Sequence, residues 1–142
     1  MFKISARNQF AGTVASVKKG AVNGVVTIDL GCKQIKADIT NEAIDELGLA
    51  EGVKATAIIK ATNVMFAAGS EKLAISARNQ FPGKITKVVK GAVNGHVTLT
   101  TACGAKVSGS ITNEAIEELG LVEGADAVAF VKSTDVLVAV EG

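Results

Sequence analysis

The segment Ser5-Ala6-Arg7-Asn8-Gln9-Phe10 returns letter for letter as Ser76-Ala77-Arg78-Asn79-Gln80-Phe81. No other feature constrains the fold as strongly, because it makes the chain one module written twice. Lys19-Gly20-Ala21-Val22-Asn23-Gly24 recurs as Lys90-Gly91-Ala92-Val93-Asn94-Gly95, and Ile39-Thr40-Asn41-Glu42-Ala43-Ile44 as Ile111-Thr112-Asn113-Glu114-Ala115-Ile116. The last pair is one residue further apart than the others, which places a single insertion near Gly104-Ala105. A repeat of about 70 residues exceeds the solenoid periods of roughly 20–50 and suits a small domain, so two tandem domains, 1–69 and 73–142, are expected. A domain of that size buries only about 60% of its unfolded surface and gains from packing against a twin or another chain.

Within the first module, Gly12-Thr13-Val14-Ala15-Ser16-Val17 favours a strand, and the Asn23-Gly24 pair between strand-like runs signals a hairpin. Val26, Ile28 and Leu30 then share one face by the two-residue period. Ile35, Ala37 and Ile39 repeat the alternation, with Lys36 and Asp38 opposite. At Thr40 the pattern changes. Thr40 or Asn41 caps a short helix through Leu47, Glu42 stands in its first turn, Gly48 ends it, and Ile44 with Leu47 forms its packing side. The runs 53–60 and 64–67 supply the last strands. The pattern predicts an all-β chain of two tandem OB-like, five-stranded antiparallel barrels, each with one short helix. The second copy repeats every element, with Pro82 in place of Ala11 and His96 in place of Val25. The linker, 68–72, is short enough to keep the two barrels neighbours.

Composition narrows the function. The 142 residues are 48% hydrophobic and 20% charged, a globular balance. No apolar run approaches the roughly 18 residues of a membrane span. The first residues lack the apolar core of an export signal, so a cytoplasmic protein with no membrane contact is expected. A net charge of +1, with no Trp or Tyr, argues against nucleic-acid binding, which needs a basic surface and aromatic platforms. Cys32 and Cys103 occupy equivalent places, one per module, and read as small packing residues, since a zinc site needs more ligands. His96 lacks neighbours of ligating type and reads as an outward strand residue. Glu42, Glu46, Glu114 and Glu118 read as solvated helix faces, and no nucleophile–base pair is visible, so neither catalytic residues nor a metal-cation site is expected.

Taken in order, Ser-Ala-Arg-Asn, Gly-Ala-Val-Asn, Ile-Thr-Asn-Glu-Ala-Ile-Asp/Glu-Glu-Leu-Gly-Leu and Lys-x-Thr-Asn/Asp-Val resemble the Mop domain of molbindins, small molybdate-binding proteins. The resemblance covers essentially the whole chain and is greatest to the tandem, di-Mop molbindins. No helix-turn-helix segment or P-loop accompanies the repeats, as in molybdate-responsive regulators or transporter ATPases. The resemblance implies OB-like barrels that bind molybdate or tungstate between domains. It also implies a homotrimer, in which tandem chains bring six domains together. Two kinds of site follow. The first would draw on Ser5, Ala6, Arg7, Asn8, Thr40, Ala43 and Lys60, and on Ser76, Ala77, Arg78, Asn79, Thr112, Ala115 and Lys132. The second would lie at the turns Gly20, Ala21, Val22, Asn23 and Gly91, Ala92, Val93, Asn94, where chains meet around a symmetry axis. The second copy departs from the first at Ser133 for Ala61 and Asp135 for Asn63; a carboxylate pointing inward at Asp135 would weaken its site.

These residue types suit a tetrahedral dianion whose oxygens carry no proton, which calls for donors and few acceptors. Lys60 brings three donors and a charge, Ser5 a hydroxyl, and Ala6, Arg7 and Asn8 their backbone amides. The helix opening would add amides near Glu42 and Ala43. Hydrogen phosphate would find no acceptor for its proton, whereas sulfate has none, leaving cavity size to reject it. Each residue also has a plainer reading: Thr40 and Thr112 as caps only, Arg7 and Arg78 in ion pairs, Lys60 and Lys132 as solvated strand ends, Gly20 to Gly24 as a hairpin turn. The leading expectation is a non-catalytic cytoplasmic protein that stores or buffers molybdate. The alternatives are an OB-like module for nucleic acid or a protein partner, and a molybdate sensor that signals to another protein.

Overall fold

Val26, Ile28, Ile35 and Ala37, the residues whose alternation marks one face of each strand, are fully enclosed. A computed structural model describes residues 2–141. The strands that carry those residues are β1 (Asn8–Lys19), β2 (Asn23–Asp29) and β3 (Gln34–Thr40), followed by α1 (Asn41–Leu47), β4 (Lys54–Ile59) and β5 (Met65–Ala68). The second copy gives β6 (Asn79–Lys90), β7 (Asn94–Thr101), β8 (Lys106–Thr112), α2 (Asn113–Glu118), β9 (Asp126–Val131) and β10 (Leu137–Ala139).

β1 is long because it serves two partners. Its first half, from Asn8 to Thr13, pairs with β4, and its second half, to Lys19, pairs with β2. The register shifts between Val14 and Ser16, and a bulge of this kind bends a strand so that a small sheet can curl. β6 repeats the device between Ile85 and Lys87. Each sheet is antiparallel, ordered β10-β4-β1-β2-β3 in one unit and β5-β9-β6-β7-β8 in the other. β10 also lies against β3, and β5 against β8, which closes each sheet in the OB manner. The first core contains Val14, Ile28, Ile44, Ile59 and Val136; the second contains Phe81, Ile85, Leu99, Ile116 and Val131. Each such side chain contributes about 1.5–3 kcal/mol of burial.

The sequence repeat and the compact unit differ by one strand. One unit runs to Ile59 and resumes at Lys132, while the other is Lys60–Val131. The fifth strand of each sheet is thus encoded in the other repeat. Met65 pairs with Phe130 and Leu137 with Ile58, and these are equivalent positions of the two modules, so either strand presents the same kind of surface to either sheet.

Two local readings need correction. The hairpin after β1 forms, but Asn23-Gly24 is not its corner, because Asn23 already belongs to β2 and no non-glycine residue among the described ones has positive φ. Gly24 is instead buried, and a Cβ there would stand 2.7 Å from Ile44 Cδ1. Cys32 and Cys103 are exposed rather than packed in a core. His96 is exposed on β7 opposite Val89 and Ser110, as read from the sequence.

Candidate functional site

The Ser5–Arg7 segment precedes β1 and is shaped by a side chain. Gln9 Nε2 donates to the carbonyls of Phe2 (3.0 Å) and Ala6 (3.2 Å), while Gln9 Oε1 accepts from Phe2 N at 2.9 Å. Gln80 does the same for Leu73 and Ala77, with bonds of 2.9, 3.2 and 2.7 Å. The tie-back occupies the Ala6 and Ala77 carbonyls. The amides of Ala6, Arg7, Ala77 and Arg78 have no partner among the described residues. Ser5, Arg7, Ser76 and Arg78 are exposed, whereas Asn8 and Asn79 are 3% and 2% exposed and open the strands β1 and β6.

Asn8 pairs with Ile59 and Asn79 with Val131, so Arg7 and Lys60, like Arg78 and Lys132, are the next residues out along paired strands. All four cations are exposed, and none forms an ion pair among the described residues. The ion-pair reading of the arginines therefore finds no carboxylate here. Ser133 and Asp135 lie in a 3-10 turn just after Lys132, and both are half-buried.

A second cluster forms at the other end of β1. Gly20 N donates to Asn23 O at 2.7 Å, and Asn41 closes the turn from the helix side, its backbone N on Val22 O at 2.8 Å and its Nδ2 on Gly20 O at 3.0 Å. Asn113 makes the same bonds to Val93 O (2.8 Å) and Gly91 O (2.9 Å). The amides of Ala21, Val22, Ala92 and Val93 have no partner among the described residues, and all four residues are exposed. An ion pair from Lys19 to Asp45, matched by Lys90 to Glu117 at 3.1 Å, fastens each strand end to its helix.

Thr40 sits in this second cluster, opposite Asn23 in the β2–β3 ladder. Its Oγ1 accepts from Ala43 N at 3.1 Å, and Thr112 Oγ1 from Ala115 N at 3.1 Å. The Ala43 and Ala115 amides, expected to be open at the helix start, are thus engaged in caps. Within a unit the first-type residues are consequently divided. Ser5, Ala6 and Arg7 stand at one end of β1, and Thr40 and Ala43 at the other with the Gly20–Asn23 turn. A twelve-residue strand separates them, roughly 40 Å of contour at about 3.3 Å per residue. Gln9, Gln80, Asn41 and Asn113 went unread as contributors. The signal for them was present, since both types recur inside the two most faithfully repeated segments.

The chain matches the TOBE domain model twice, over residues 4–66 and 75–138. A crystal structure of the cytoplasmic molybdate-binding protein ModG, with molybdate bound, superposes with a TM-score of 0.94 at 41% identity, covering 99% of this chain and all of that one. The molybdenum transport protein ModE of Herbaspirillum seropedicae is 41% identical over 140 residues, 98% of this chain and 52% of ModE. Molybdenum-pterin-binding protein 2 of Clostridium pasteurianum is 47% identical over 66 residues, 46% of this chain and 97% of that protein. The chain spans about half the length of the longer curated relatives it matches.

Proposed function

This chain belongs to the TOBE-domain family, and from that premise we propose that it is a cytoplasmic molybdate-binding protein that stores and buffers the ion without performing chemistry on it. The observation that carries this reading is the end-to-end likeness to molybdate-bound ModG. The chemistry of the two clusters supports it. Both offer unpaired amides with neighbouring carbonyls tied back, and one adds the cations Arg7 and Lys60, or Arg78 and Lys132. Such a donor set fits a tetraoxo dianion, tungstate as well as molybdate.

The sites belong at domain and subunit interfaces in a homotrimer of six modules. The division of Ser5–Arg7 from Thr40–Ala43 favours that arrangement, because a neighbouring copy can supply the missing half. So do the apolar residues left exposed at equivalent positions, Ile4 (51%) with Ile75 (45%), Val22 (72%) with Val93 (70%), and Met65 (40%) with Leu137 (55%). Exposed apolar surface recurring at the same places in both modules suits burial against another copy of the chain. Equilibrium dialysis with molybdate, against sulfate and phosphate as competitors, tests the reading. Retention of molybdate over both competitors is expected, and absence of retention at millimolar anion would refute it.

A further inference from the structure

We propose that Asn41 and Asn113 are positioning residues that make the Gly20–Asn23 and Gly91–Asn94 turns accept only oxyanions that carry no proton. The inference rests on the reading of these turns as oxyanion sites and adds what sets their selectivity. A four-residue turn carries as many carbonyl acceptors as amide donors, and an acceptor facing a dianion repels it. Asn41 removes two of the acceptors at once, Val22 O through its backbone N and Gly20 O through Nδ2. A third, Asn23 O, is taken by Gly20 N. What the turn still offers is the pair of amides on Ala21 and Val22; its one remaining acceptor, Ala21 O, points away from the Val22 amide across their trans peptide.

The arrangement is held against a cost. Asn41 Oδ1 and Asn113 Oδ1 are buried without a hydrogen-bond partner among the described residues, which is unfavourable for any acceptor. Rotating the amide by half a turn would set oxygen against the Gly20 carbonyl and release it toward solvent, so the orphaned oxygen accompanies the clamp. Both modules carry the same clamp and the same orphan. Where another copy covers the turn and excludes water, a monohydrogen phosphate must leave its P–OH proton unpaired, whereas molybdate has no proton to place.

The test uses the full chain with Asn41→Ala and Asn113→Ala together, and separately the near-isosteric pair Asn41→Asp and Asn113→Asp. Molybdate and phosphate affinities are measured by equilibrium dialysis at pH 8, where phosphate is the monohydrogen dianion. With the Gly20 and Gly91 carbonyls released, the molybdate-to-phosphate affinity ratio of the Ala pair is expected to narrow by about tenfold. The Asp pair, with a carboxylate behind the turn, is expected to lose molybdate more severely than the Ala pair. An unchanged ratio in both pairs overturns the inference, even if the unliganded melting temperature falls. Failure of the unaltered chain to bind molybdate is a separate result, and refutes the functional reading itself.

Discussion

Asn41 occupies space that Gly24 leaves open: a Cβ on Gly24 would lie 3.1 Å from Asn41 Oδ1 and 3.0 Å from Lys18 O. Gly95 stands in the same relation to Asn113, at 3.1 Å. Neither glycine has positive φ, so what the position demands is room rather than backbone freedom. Gly24→Ala or Gly95→Ala must displace the Ile44 or Ile116 side chain and crowd both the neighbouring strand carbonyl and the helix start, and an overpacked site of this kind costs about 1–3 kcal/mol. Urea denaturation should show each variant destabilised by that amount. A variant as stable as the parent would mean that the helix start yields freely, and that the clamp is loosely held.

The caps give a smaller and separable effect. Thr40 Oγ1 and Thr112 Oγ1 each satisfy one otherwise open helix amide, at Ala43 and Ala115. Thr40→Ala and Thr112→Ala should each lower stability by about 1 kcal/mol, and Thr→Ser should retain most of it. Denaturant midpoints with unchanged slopes would check that the loss is in the folded state.

Much of this architecture was legible because it rests on local rules. The alternation of Val26 and Ile28 and the Thr40 cap followed from the residues alone, and both stand where expected. The strand exchange was not legible, for a physical reason. Met65 and Leu137 are the same position of the repeat, as are Phe130 and Ile58, so exchanged and unexchanged pairings bury similar side chains and differ only in how the chain connects them. The Asn-Gly signal predicted a hairpin correctly while misplacing its corner, since composition does not distinguish a glycine needed for φ from one needed for clearance. At the site, residue types were readable and directions were not. Nothing in Ile-Thr-Asn says that Asn41 turns back onto Gly20, or that the Thr40 cap uses the amide expected for a ligand.

Lys60 and Lys132 carry the sharpest binding prediction. Both are exposed at strand ends without an ion pair among the described residues, so replacing either by Ala should leave stability within about 0.5 kcal/mol. A charge-assisted hydrogen bond to a dianion is worth about 1.5–3 kcal/mol, and each substitution should therefore weaken its own sites by roughly 10–100-fold. Calorimetric titration with molybdate would register this as part of the capacity lost in each single variant. Full capacity and affinity in both would place the anion elsewhere.

Assembly and ligand should be linked, because Arg7 and Thr40 lie at opposite ends of β1 and a site that needs both must draw on more than one unit. An anion that binds only the assembled form stabilises it by about 2.7 kcal/mol at a hundred times its dissociation constant. Molybdate should accordingly raise the melting temperature, and the rise should depend on protein concentration. Val22 and Val93 provide the control. At 72% and 70% exposed they contribute little to the fold of a unit, so Val22→Asp with Val93→Asp should leave far-ultraviolet circular dichroism unchanged. A charge buried at a subunit contact without a partner is strongly unfavourable, and light scattering should find the doubly substituted chain reduced to monomers. The molybdate-induced rise should disappear with the assembly. If the substituted chain keeps both its size and its thermal response, these turns are free surface, and the anion sites do not require subunits to meet there.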